Sequence, residues 1–327
     1  MTTHLPCLRR ALFASGLATL MIAGTAEAAP NKVGGDVRVV DANGKVLVDK
    51  RQYTGTTKIK TSKKADCFGD GTGGSGESVE VPGATALGIV NDAAEYQSKL
   101  RPLSITDSFD FGLGVCGFGN AISPSTGYWY LKQNHVGSTT GGDLTVVKNR
   151  DDILWYLIED YNDPIPAELE LIAPSTVEPG EKIPVKVFEY ADDGTRTPAA
   201  GAEVGGAVTG ADGTAQVAPG GADTRLIARR DGAIPSRALD VCQAQKISDC
   251  PNGHALEISG TDGADKIKSD KRPSVISGYR GKDTIDLTKS KDSAPPIVDC
   301  GPGDDVLVVR KGQKYTARKG CETTRKR

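Results

Sequence analysis

Histidine, tryptophan and methionine are nearly absent from this 327-residue chain, at 3, 2 and 2 residues, and aromatic residues make up only 5%. So few large side chains argue against packed long helices, and the 40 glycines favour short strands joined by turns. Beyond the first thirty residues the only histidines are His135 and His254. Neither has a second histidine at metal-ligand spacing, which argues against a zinc centre. No serine sits in a G-x-S-x-G elbow. Carboxylates alone are plentiful, and no segment shows the size or cleft-forming loops of an enzyme, so a non-catalytic protein is expected. The net charge is −2, a balance that gives no electrostatic case for nucleic acid or an anionic membrane. The basic stretch Arg325-Lys326-Arg327 reads as a solvated end. No later segment is apolar enough for membrane insertion.

What is present at the start sets the compartment. Arg9 and Arg10 precede an apolar run from Ala11 to Gly24, and Ala26-Glu27-Ala28 supplies a small-x-small cleavage pattern. Residues 1–29 therefore read as a secretory signal peptide. Arg9-Arg10-Ala11-Leu12-Phe13 also fits a loose twin-arginine pattern, so both export routes stay open. The expected location is extracellular, free or held at the cell surface, with an extracellular ligand or surface partner. Of 7 cysteines, Cys7 falls within the signal. The remaining Cys67, Cys116, Cys242, Cys250, Cys300 and Cys321 form an even set, which in an exported chain reads as disulfides. Each successive couple falls within one segment, favouring Cys67–Cys116, Cys242–Cys250 and Cys300–Cys321. With the cysteines paired, no thiol nucleophile is left.

The patterning divides the rest into three modules of a mainly β, multi-domain protein. In residues 30–162, Asp41-Ala42-Asn43-Gly44 separates two apolar runs, Val37–Val40 and Lys45–Val48, which predicts a β-hairpin. Thr85 can cap a helix over Ala86–Lys99, with Leu87, Ile89, Val90, Ala93, Ala94 and Leu100 as its apolar stripe. The Gly/Ser-rich stretch Cys67–Gly76 predicts no packed element. Strands are predicted at Gly127–Leu131, Leu144–Val147 and Asp152–Leu157. Hairpin, helix and further strands suggest a small α+β sheet of the β-grasp kind. The order of Cys67, helix, Gly117-Phe118-Gly119-Asn120-Ala121-Ile122, YWYLKQNHVG and GGDLTVVKNRDDILWYL resembles the transcobalamin-like C-terminal domain family. The turn at Gln133–Gly137 is longer than that family's Asn-Gly turn by two residues. The resemblance implies a β-grasp fold that holds a small ligand, cobalamin or another. Tyr128, Trp129, Tyr130 and Trp155 have two readings: core-facing cross-strand packing, or an outward platform for a ring-shaped ligand or glycan. Gly112-Leu113-Gly114-Val115-Cys116-Gly117 spells G-x-G-x-x-G, but no helix can open at Phe118–Ser125, so it is not a dinucleotide fingerprint.

Pro164-Ile165-Pro166 marks a boundary. Residues 163–241 then carry short alternating segments separated by Glu178-Pro179-Gly180, Asp192-Asp193-Gly194, Ala211-Asp212-Gly213 and Arg230-Asp231-Gly232. That spacing predicts a β-sandwich. Pro198–Val204 and Ala211–Ala215 resemble bacterial immunoglobulin-like and prealbumin-like modules, which implies a spacer.

Residues 242–327 carry G-x-x-G-x-D-x-U at Gly260–Ile267 and at Gly278–Ile285, and a third copy at Cys300–Leu307 that begins with cysteine. Ile258, Ile267, Ile276 and Ile285 fall nine apart, and Val298 and Leu307 resume the period after a slip. Nine is the period of a parallel β-roll. The segment resembles a degenerate haemolysin-type, repeats-in-toxin-like calcium-binding array. Asp265 and Asp283, eighteen apart, stack on one edge and are candidate Ca²⁺ ligands with Asp305. The repeat at Ser269–Ile276 has lost both glycines and aspartate. The alternative is a short β-roll or solenoid kept for shape and stapled by Cys300–Cys321. Together these features predict a secreted binding protein, or a structural or adhesive surface protein built of spacers.

Overall fold

The computed structural model describes residues 32–245, 250, 256–269, 274–290 and 295–327. The expected signal peptide, Cys7, His254 and the centre of the eroded repeat at 270–273 lie outside the described residues. The fold is mainly β, arranged as several sheets with a single α-helix among the described residues.

Strand β1 (Val33–Val40) and strand β2 (Val46–Thr54) form the expected hairpin. Asp41 closes its turn by accepting from the amides of Asn43 and Lys45, and Gly44 takes the left-handed conformation (φ 72°) that the turn demands. β1 pairs in parallel with Asp152–Ile158, which pairs antiparallel with Tyr128–Gln133. Helix α1 (Ala86–Ala94) lies across this sheet, with Thr85 Oγ1 accepting from Gly88 N at 3.1 Å. It stops short of Lys99, and a 3₁₀ turn at Ser98–Leu100 follows. Leu87, Ile89, Val90 and Ala93 meet Val37, Val39, Ile153 and Trp155 in one core.

The segment Leu144–Val147 is not a strand and makes only a single bridge, Val146 to Thr85. One of its carbonyls and one just before it serve the helix instead: Thr145 O accepts from Ala86 N at 2.9 Å, and Gly142 O from Leu87 N at 2.8 Å. Those amides have no partner within the helix, so satisfying them outweighs sheet pairing. A hairpin of Leu103–Phe109 and Gly112–Phe118 completes this part, stapled by Cys67–Cys116. The glycine-rich run is thus a strand. A Cβ on Gly114 would lie 2.8 Å from the Phe68 ring, so the glycine seats an aromatic ring and no nucleotide.

Residues 167–243 fold around a second core of Leu169, Ile183, Val185, Val187, Val217 and Val241. Ala167–Ile172 pairs with Ile183–Tyr190, and Asp223–Leu226 with Leu239–Gln243, as small sheets enclosing that core.

The last part is a parallel two-sheet coil. Leu256–Ser259, Ser274–Ser277, Ile297–Asp299 and Thr316–Lys319 stack in one sheet. Lys266–Lys268, Thr284–Asp286, Val306–Val309 and Thr323–Lys326 stack in the other. Ile258, Ile267, Ile276, Ile285, Val298 and Leu307 fill the space between, so the nine-residue period marks the residues that point inward. The pattern runs one coil further than the motif: Ala317 stacks on Val298 and Thr324 on Leu307. Cys300–Cys321 joins these last two coils, and Cys242–Cys250 precedes the first.

The coil is joined edge-on to the first sheet. β2 pairs in parallel with Leu256–Ser259, giving one continuous nine-stranded sheet. Gln52 Nε2 donates to Gly260 O at 2.8 Å, and Tyr53 covers the open end of the coil's core. This pairing satisfies backbone groups that an isolated coil would leave bare.

Candidate functional site, a carboxylate ladder in the coil

Asp265, Asp283 and Asp305 each stand two residues before an inward apolar residue, so the coil stacks them in a column. All three are buried. The second and third carboxylates reach the coil before them: Asp283 Oδ1 accepts from Asp265 N at 2.9 Å, and Asp305 Oδ1 from Asp283 N at 2.8 Å. Glu322 Oε2 continues the column by accepting from Asp305 N at 2.9 Å. Glu322 was not anticipated, because its coil lacks the glycine motif. Its place two residues before Thr324, in register with Asp305 before Leu307, was the available signal. Glycines let the coils approach: a Cβ on Gly303 would sit 1.5 Å from Gly281 O.

The second oxygens separate the sites. Asp265 Oδ1 lies 3.1 Å from Lys32 Nζ, and its Oδ2 accepts from Thr261 N at 2.7 Å. Asp283 Oδ2 and Asp305 Oδ2 are buried with no hydrogen-bond partner. Burial pushes Asp283 up to about 7, aided by the neighbouring Asp265 and Asp305 charges against the amide it accepts from. Burial also raises Asp305, with Glu322 and Asp304 adding to it. Hard, all-oxygen donors with two uncommitted anionic oxygens suit Ca²⁺. At the head of the ladder Lys32, Thr57, Asp92, Glu95, Thr261 and Asp262 line a cleft of about 410 Å³ between the first sheet's helix side and the first coil.

The aromatic set is split by the sheet. Trp129 and Trp155 are 6% and 3% exposed and pack edge-on against Phe118. Trp155 Nε1 donates to Ala86 O at 3.1 Å. Both tryptophans therefore belong to the core, and as ligand-platform residues they are corrected: alternation along paired strands turns them inward. Tyr128 and Tyr130 face the other way and are half-buried. Tyr130 donates to Asp192 Oδ1 at 2.6 Å, so a loop of the second part covers that face.

A further cluster, not found from sequence, ties the first two cores together. His135, Asp152 and Glu168 bring ligand-type atoms within 4.8 Å of one another. Arg38, itself buried, pairs with Glu168 and donates to Pro235 O at 2.7 Å. Lys132 Nζ lies 4.0 Å and His135 Nδ1 3.1 Å from Glu168 Oε2. Arg237 spans Asp49 and both oxygens of Asp152. Burial would raise Asp152 and Glu168, but Arg237 and Arg38 respectively outweigh it and hold both low. Three cations already neutralise these three carboxylates, so the cluster is an ionic clamp and a poor seat for a metal. His135 stacks on Tyr190 at 3.8 Å, closing the clamp's outer side.

No family model matches the chain, and no curated protein or solved structure does. The described residues include no helix long and apolar enough to cross a membrane.

Proposed function

We propose that this chain is an exported, non-catalytic binding protein whose C-terminal coil takes up Ca²⁺ at Asp283 and Asp305. The carrying observation is that Oδ2 of each is buried without a hydrogen bond or an ion-pair partner among the described residues, whereas Asp265 Oδ1, which also lacks a hydrogen bond, has Lys32 3.1 Å away. Bound Ca²⁺ supplies the positive charge that the two inner rungs lack. The chain's own residues do the rest: the stacked aspartates fix the oxygens, the amide bonds between rungs hold their spacing, and Lys32 neutralises the outer rung. The likeness to calcium-binding repeats supports the same reading. Isothermal titration of the chelator-treated, disulfide-intact chain with CaCl₂ tests it. Saturable binding that weakens at least about tenfold in Asp283→Asn is expected. Absence of binding in the unsubstituted protein would overturn the proposal.

A second reading, a structural or adhesive surface protein, is favoured by the continuous nine-stranded sheet and the buried clamp. They make the parts one stiff body, unlike independent spacers on flexible linkers. For a small ligand, cobalamin included, the cleft beside Lys32 offers more enclosed space than the covered tyrosine face.

A further inference from the structure

The outermost described coil concentrates positive charge that the whole-chain balance hides. Lys311, Lys314, Arg318, Arg325, Lys326 and Arg327 are all exposed. Glu322 is the sole acid between Lys311 and Arg327, and it is occupied by the amide of Asp305. Among the described residues none of the six cations has an ion-pair partner. Cations two coils lower are matched with acids: Arg280 lies 3.5 Å from Asp262, and Lys282 lies 3.9 Å from Asp304.

This stretch is not a loose tail. Thr316–Lys319, with a bulge at Arg318, and Thr323–Lys326 stack on the coil below, Lys311 N donates to Arg327 O at 3.2 Å, and Cys300–Cys321 fixes the intervening turn. The backbone thus holds six unmatched cations on a single rung, spread over both sheets. All six stand on an exposed face, so the complementary ligand is an extended chain carrying repeated negative charges.

We propose that this coil is a docking surface for an acidic polysaccharide. The coil's single aromatic residue, Tyr315, is half-buried against the core. It leaves no exposed ring on which nucleic-acid bases would stack, so the surface suits a polymer recognised by charge alone. A simpler role for these cations is to keep a sheet edge from pairing with another copy; it predicts no affinity for polyanions.

The experiment compares retention of the full, oxidised chain on immobilised heparin and on dextran, with duplex DNA as a competitor at equal charge. The substituted chain carries Lys314→Gln, Arg318→Gln, Arg325→Gln and Lys326→Gln, and its thermal midpoint is checked against the parent's. Retention on heparin but not dextran is expected, with log affinity falling as log salt rises. Each cation removed should lower that slope by roughly one. Single substitutions of Arg318 and Arg325 keep the test valid where the fourfold variant fails to fold. The proposal is overturned by unchanged elution of folded variants or by flow-through of the parent. Self-association of the variant without parental heparin binding, or competition by duplex DNA as strong as by free heparin, would overturn it equally.

Discussion

Replacing Glu168 with alanine removes one carboxylate from the clamp and strands two buried cations. Glu168, Arg38 and Lys132 are each 1% exposed, and Arg38 keeps only Pro235 O as a close partner once the carboxylate is gone. Breaking a buried pair from one side costs about 3–5 kcal/mol, because the remaining charge is neither solvated nor matched. With a denaturant dependence of about 2 kcal/mol per molar urea, the midpoint should fall by roughly 2 M. The double variant Arg38→Met with Glu168→Leu removes the closest pair together and should recover part of that loss, Lys132 still lacking its carboxylate. Urea unfolding followed by far-ultraviolet circular dichroism and tryptophan emission reads both. A loss below about 1 kcal/mol for Glu168→Ala would refute the reasoning, since it would show water reaching the pair as at a surface.

Gly303→Ala should destabilise the coil by more than about 2 kcal/mol, because its Cβ would overlap Gly281 O; an unchanged melt would contradict the coil-to-coil packing. Asp92 is a case where charge opposes folding: burial pushes its carboxyl up to about 6, against the hydroxyl bond from Thr57. Its folded value is raised, so its stabilising contribution is present below about pH 4 and lost as pH rises through about 6, by at most roughly 3 kcal/mol. Asp92→Asn keeps the acceptor for Thr57 and should be more stable than the parent at pH 8, with a flatter stability profile from pH 4 to 8; a less stable variant at pH 8 would refute this. Trp129 and Trp155 should emit at short wavelength and resist acrylamide quenching, and quenching as strong as for free tryptophan would contradict their burial.

Much of the architecture was legible because it rests on local periodicity. Asn43-Gly44 fixed the first hairpin, Thr85 the helix start, and isoleucines nine apart the coil's core. Asp265 and Asp283 were placed in one column by the same period, whereas Asp305 follows the slip and its place in the column came from the stacked coils. The features missed arise from long-range pairing that no local pattern records. Arg38 and Glu168 lie 130 residues apart in sequence, and β2 meets Ile258 through a parallel edge with no turn between them. Leu144–Val147 has a strand's composition, yet the bare amides of α1 claim the carbonyls of Thr145 and of Gly142 just before it. The final coil escaped notice because Ala317 and Thr324 are not bulky, and Glu322 went with it. Trp129 and Trp155 were legible as alternating aromatics, but which face was the inner one required the helix to be placed.

The central claim is tested most directly by thermal unfolding of the oxidised chain in millimolar Ca²⁺ and in chelator, beside Asp283→Asn. Ca²⁺ held only by the folded coil should raise its transition, by about 2.7 kcal/mol when the ion stands at one hundred times its Kd, and Asp283→Asn should lose that rise. Superimposable melts of the unsubstituted protein with and without Ca²⁺ would contradict the account and leave the carboxylate ladder as scaffold alone.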